Sequence, residues 1–235
     1  ADTFLAARFR SAHAIAWPRA TRDGIAVDTP PFDLRIRYVG VWDTVGALGI
    51  PRVLPISLGL NENYRFHDTA LSSAVQGARH AVAIDEHRAA FAPTLWTNID
   101  QFNKPGAPQR VAQAWFPGDH GGVGGADRVR GISNCSLLWV LEGAEQMGLQ
   151  LAREPGSVIS GAMAEIDPIT APLQGKAGGS LLDLMGSRWR VGLTQYADLH
   201  ETARLRWLGD RSYRPKPMLR FAREIAESIK EPRAA

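Results

Sequence analysis

Two runs of β-branched and aromatic side chains, LRIRYVGVW from Leu34 and RVAQAWF from Arg110, each stop abruptly at turn-forming residues. Runs of this composition between breakers fold as strands. The first ends at Asp43-Thr44 and the second at Pro117-Gly118, with His120 close behind. Each strand therefore delivers one chemically able side chain just past its C-terminal end. Helical patterns separate and follow the two runs, and strands alternating with helices specify an α/β layer architecture. Two strands make a poor open sheet of that class, so the pattern predicts an incomplete sheet with flanking helices.

The helical patterns are read from apolar spacing. Thr3 to Ala14 is Ala- and Arg-rich and reads as a helix, followed by a loop punctuated by Pro18, Gly24, Pro30 and Pro31. GALGIPRVLPISLGLNENYRF has neither helical nor alternating period and reads as an irregular excursion. Asp68 is a candidate N-cap for a helix that runs to about Ile84, with Leu71, Ala74, Val75, Ala78 and Val82 on one face. Ser133 or Asn134 is placed to cap a helix carrying Leu137, Val140, Leu141, Ala144 and Met147, which Gly148 stops. Pro155 to Gly179 is loop-rich, and a last amphipathic helix starts at Pro217 with Met218, Phe221, Ala222, Ile225 and Ile229 inward.

Composition narrows the class. The chain has 235 residues, 45% hydrophobic and 22% charged, enough for one substantial core and hence one domain. No apolar run is long enough to span a bilayer, and ADTFLAARFR lacks the basic-then-apolar order of a signal peptide. The lone Cys135 forms no internal disulfide and reads as a small buried side chain. Residues 186–235 hold 11 Lys+Arg against 6 Asp+Glu, which leaves 16 against 18 for residues 1–185, so the tail is basic. A solvated basic surface accounts for that, and no nucleic-acid partner is inferred.

Acyl transfer to water needs a nucleophile, a general base, and a carboxylate that fixes the base's tautomer. Asp43 and His120 have the right types for the last two roles, and acid-before-histidine is the chain order of α/β-hydrolases. That order puts the nucleophile before Asp43 on a Gly-x-Ser-x-Gly elbow, a pattern absent from all 235 residues. Ser11, the one serine ahead of Asp43, has neither flanking glycine nor a preceding strand and is rejected. Taken alone, a strand-end aspartate and a nearby histidine fit capping and hydrogen-bonding roles better than catalysis.

The strings VGVWDTVGALGIP, HAVAIDEHRAAFAPTLW and AWFPGDHGGVGGA, in that order, closely resemble the catalytic domain of type VI secretion lipase effectors, an α/β-hydrolase family. ISNCSLLWVLEGAEQMGL and SYRPKP extend the likeness over nearly the whole chain. The resemblance implies that Asp43 is the triad acid and His120 the triad base. Such proteins carry, upstream, a glycine-threonine start near the oxyanion site and a Gly-Phe-Ser-Arg-Gly elbow. Both features are absent here, and the chain begins at Ala1, so the expectation is the later part of a longer hydrolase. A second departure follows His120, where the family's usual His-x-Asp-Val-Gly-Gly is replaced by HGGVGG and Gly122 takes the acid's place.

Other constellations are set aside. His67-Asp68 lacks the further ligands of a metal phosphohydrolase, and His80, Asp85 and His87 lack zinc spacing, so no metal is assigned. The AIDEHR segment reads as a buried salt-bridge and packing element. GGVGG has no P-loop lysine and no dinucleotide fingerprint, so no cofactor is assigned. RWRVGL and RLRWLGDRSYR read as core and rim of helices.

The resemblance thus implies a carboxylic-ester hydrolase, a phospholipase, whose serine lies outside this chain. The alternative is a non-catalytic interaction or remnant domain that keeps the hydrolase shell. Expected partners are a lipid or ester substrate, a membrane surface, and a complementary N-terminal polypeptide or a second copy of the chain. The expected route is cytoplasmic synthesis and export by a secretion system.

Overall fold

The computed structural model describes residues 35–45, 69–126, 130–173 and 187–228. The helix read at Thr3 to Ala14, the whole irregular excursion, and His67-Asp68 lie outside the described residues. Three strands, β1 (Val39–Trp42), β2 (Ala78–Ala83) and β3 (Val111–Phe116), form a parallel sheet in the order β1-β2-β3. Val39 pairs with Ala78, and Ala78 with Val111, so all three C-terminal ends fall at one rim. That rim carries Asp43 beyond β1 and His120 beyond β3.

Residues 78–83 are a strand, which overturns the helix read from about 68 to 84. All six residues of β2 are buried, because the strand lies between two neighbours and under helices on both faces. A strand covered on both faces needs no alternation, and the apolar spacing of Leu71, Ala74, Val75, Ala78 and Val82 matches a helical template equally well.

Helices cover both faces. α1 (His120–Gly124) and α2 (Gly131–Gln146) lie on one face, where Ala81, Ala83, Phe116, Val123, Ile132 and Val140 form a core cluster. On the other, Val82, Ile84 and Trp115 pack with Ala203 and Trp207 of α4 (Glu201–Gly209) and Ile225 of α5 (Ala222–Glu227). α3 (Val158–Ala164) interrupts the stretch read as loop-rich. The last amphipathic segment begins as a 3₁₀ turn over Lys216–Phe221 and becomes α-helical only at Ala222, with Met218, Phe221 and Ile225 buried as expected.

The cap of α2 is Arg130, three residues before Ser133 and four before Asn134, which are buried inside the helix. Within the helix the Ser136 hydroxyl donates to Val123 O at 2.8 Å and joins α2 to α1. Cys135 is buried and donates to Gly131 O at 3.1 Å, and burial pushes its thiol up to about 11. It is a packing residue.

Candidate active site

Asp43 follows β1 in the left-handed backbone region, with φ 44°, the only non-glycine residue there among the described residues. Aspartate tolerates this conformation better than most side chains. The turn swings the carboxylate back across the end of β2, where Oδ1 accepts from Ala83 N at 2.8 Å. His120 is the first residue of α1, not part of a loop, and Asp119 caps that helix by accepting from Gly122 N at 2.7 Å. The structure brings the two expected residues together: His120 Nδ1 lies 2.8 Å from Asp43 Oδ2.

The two partners differ in exposure. Asp43 is fully buried, whereas 34% of the His120 side chain is exposed. No hydrogen bond among the described residues reaches His120 Nε2, which leaves it open to a reactant.

Arg190 completes the carboxylate's coordination. Its Nη1 and Nη2 donate to Asp43 Oδ1 and Oδ2, the second at 2.8 Å. Burial works to raise the Asp43 pKa, but the His120 and Arg190 hydrogen bonds, the Arg190 charge and the Ala83 amide outweigh it. The carboxyl therefore titrates below its ordinary value. Sequence reasoning missed Arg190. It placed RWRVGL on a helix, yet residues 187–190 are not helical, with Ser187 in an isolated bridge to Arg88, Arg188 N donating to His87 O at 2.8 Å and Trp189 edge-on to His87. The contact spans 147 residues, and no local pattern signals it.

The loop after β2 braces His120. The buried Glu86 carboxylate accepts from His120 N at 3.3 Å and is itself held by Arg88 Nε and Nη2 at 2.8 and 2.5 Å. Burial would raise the Glu86 pKa, and the Arg88 bonds and charge reverse that and lower it. Phe91 packs edge-on against the imidazole at 4.9 Å between centroids. AIDEHR is thus the buried ion-pair element read from the sequence, now tied to the His120 backbone.

The expectation at Gly122 gains a packing reason. A Cβ there would lie 2.8 Å from Leu173 O, whose carbonyl also accepts from Asp119 N at 2.9 Å. The segment at 173 occupies the space that a side chain at Gly122 would need.

A carboxylate-bound imidazole with one free nitrogen can take a proton from a hydroxyl and return it to a leaving group. A separate cleft of about 620 Å³ runs along the outer edge of β3, bordered by Trp96, Gln113, Trp139 and His200, and neither Asp43 nor His120 lines it. His80, Asp85 and His87 do not converge, and no cluster of three or more metal-binding side chains occurs among the described residues.

Residues 12–143 match the family model described as T6SS, phospholipase effector Tle1-like, catalytic domain. The chain belongs to the Tle1-like phospholipase effector family. Asp43, Glu86, Phe91 and His120 all fall inside the matched span of this family, and Arg190 falls beyond it. No curated protein and no solved structure matches the chain significantly.

Proposed function

We propose that this chain supplies the acid and base of a serine carboxylic-ester hydrolase of the α/β-hydrolase type that acts on phospholipid. The observation that carries the reading is the 2.8 Å contact between the buried Asp43 carboxylate and His120 Nδ1, with no hydrogen bond to Nε2 among the described residues. The nucleophile is a serine from a segment outside these 235 residues. His120 Nε2 takes the serine proton as Oγ attacks the ester carbonyl, then gives it to the departing alkoxide to leave an acyl-enzyme. Water attacks in turn, its proton passing through Nε2 back to the serine as the fatty acid leaves. Asp43 holds the imidazole as the Nδ1–H tautomer throughout.

The family description supports lipid as the substrate class. Exposed Val158, Met163 and Ile166, on and just beyond α3, support contact with a lipid surface. No helix among the described residues is long and apolar enough to cross a membrane. β1 has a single strand neighbour among the described residues, so its outer edge is where a strand of the serine-bearing segment, or of a second copy, would add.

The test is phospholipid hydrolysis by the complete protein. Asp43→Asn is expected to lower kcat by about 10⁴-fold, because an amide stabilises the wrong imidazole tautomer, and His120→Ala to abolish turnover. Wild-type turnover in either variant would overturn the assignment.

A further inference from the structure

An ionised carboxylate offers about four acceptor positions. In Asp43 all are filled: Oδ1 by Ala83 N and Arg190 Nη1, Oδ2 by His120 Nδ1 and Arg190 Nη2. Arg190 is anchored independently of the carboxylate, since Nη1 donates to Ala83 O at 2.9 Å and Nη2 to Phe91 O at 2.7 Å. Its Nε is buried without a partner, so the guanidinium edge that faces Asp43 carries all its bonds. A planar fork fixed at both tips sets the plane of the carboxylate it grips.

We propose that Arg190 is the positioning residue of the pair: it holds the Asp43 carboxylate ionised and in one rotation, so that His120 is kept as the Nδ1–H tautomer. The chemical necessity lies in the burial. A carboxyl with no solvent access and no counter-charge favours its neutral form. A neutral Asp43 would donate to Nδ1, and the imidazole proton would then sit on Nε2, the atom that must accept from a nucleophile. Arg190 removes that alternative while leaving Oδ2 one lone pair for His120. The segment at 187–190 thereby completes a site whose other members come from the ends of β1, β2 and β3.

This role rests on the reading of His120 as the proton-transfer group, and its test needs no turnover. In the chain of residues 1–235, ¹⁵N spectra of the His120 ring at pH 8 report which nitrogen bears the proton. The unsubstituted chain is expected to show Nδ1–H. Arg190→Met is expected to lose that signature, either to Nε2–H or to a retained imidazolium. An Arg190→Met chain that stays folded by circular dichroism and keeps the neutral ring with its proton on Nδ1 alone overturns the proposal. If that variant does not fold, the unsubstituted chain decides. Its Arg190 guanidinium resonances should shift as His120 takes up a proton, through the shared Oδ2, and should stop doing so in His120→Gln. Absence of that shift overturns the proposal equally. An Nδ1–H signature that Arg190 controls, in a complete protein inactive on esters, would instead sink the hydrolase reading and leave the positioning role standing.

Discussion

At Gly122 the usual helix arithmetic is reversed. Replacing an interior helical glycine by alanine ordinarily stabilises by roughly 0.5–1 kcal/mol. Here the new methyl would meet Leu173 O at 2.8 Å and Asp119 Oδ1 at 3.3 Å, and the first is backbone that can yield only by moving its segment. Gly122→Ala is therefore expected to destabilise by about 1–3 kcal/mol. Gly122→Asp, which restores the residue usual in the family, is expected to cost more, since it also sets a second carboxylate beside Asp119. Urea midpoints of the three chains check this, and an unchanged midpoint for alanine would mean that residue 173 is not seated on the His120 turn.

Packing of α2 on the sheet depends on a second such glycine. Gly143 faces Arg79, whose Nη1 donates to Trp139 O at 2.5 Å and pairs with Glu142 at 2.7 Å, and Tyr38, which donates to Val140 O at 2.5 Å. A Cβ at Gly143 would lie 2.6 Å from both Arg79 Nε and the Tyr38 hydroxyl oxygen. Gly143→Ala should lower stability by about 1–3 kcal/mol despite alanine's better helix propensity, and a raised melting temperature would refute this packing account. The same elements show what a sequence can display. β3 was legible to within a residue, because its β-branched and aromatic run ends at Pro117-Gly118. β2 was not: burial on both faces erased the alternation that marks a strand. Asp43 and His120 were legible because each follows a readable strand, whereas Arg190 arrives on a segment that has no periodicity and acts across the fold.

Between pH 5 and 6 three groups, the buried His80 and the half-buried His200 and Asp85, dominate the response to acid. His80, fully buried, receives Thr44 N on Nε2 and faces Gln113 through Nδ1, and burial lowers its pKa to about 4. His200, stacked on Phe116, is likewise lowered to about 4 by burial. Both are neutral when folded and take up protons on unfolding below their ordinary value of 6.5, so their contribution is complete above that pH and is lost as pH falls from 6.5 toward 4. Asp85 opposes them. Burial raises it to about 6, although Gly118 N and the Tyr213 hydroxyl donate to its Oδ2 at 2.7 and 3.0 Å. Its folded form therefore holds a proton that the unfolded form releases, and its ionisation penalises the fold increasingly as pH rises from 3.8 to about 6. Between pH 6 and 5, unfolding takes up about two protons at the histidines and releases about one from Asp85. Stability should then fall by about 1.4 kcal/mol per pH unit on acidification. Asp85→Asn keeps an oxygen for both donors and removes the penalty. It should add up to about 3 kcal/mol at pH 8, steepen the acid loss to about 2.7 kcal/mol per unit, and match the unsubstituted chain near pH 4. His200→Asn, which can still cap α4, should flatten the slope nearly to zero. Urea unfolding at pH 5.0, 5.5 and 6.0 separates the three chains. Parallel slopes would show that these groups are hydrated in solution and would refute this account of the acid response.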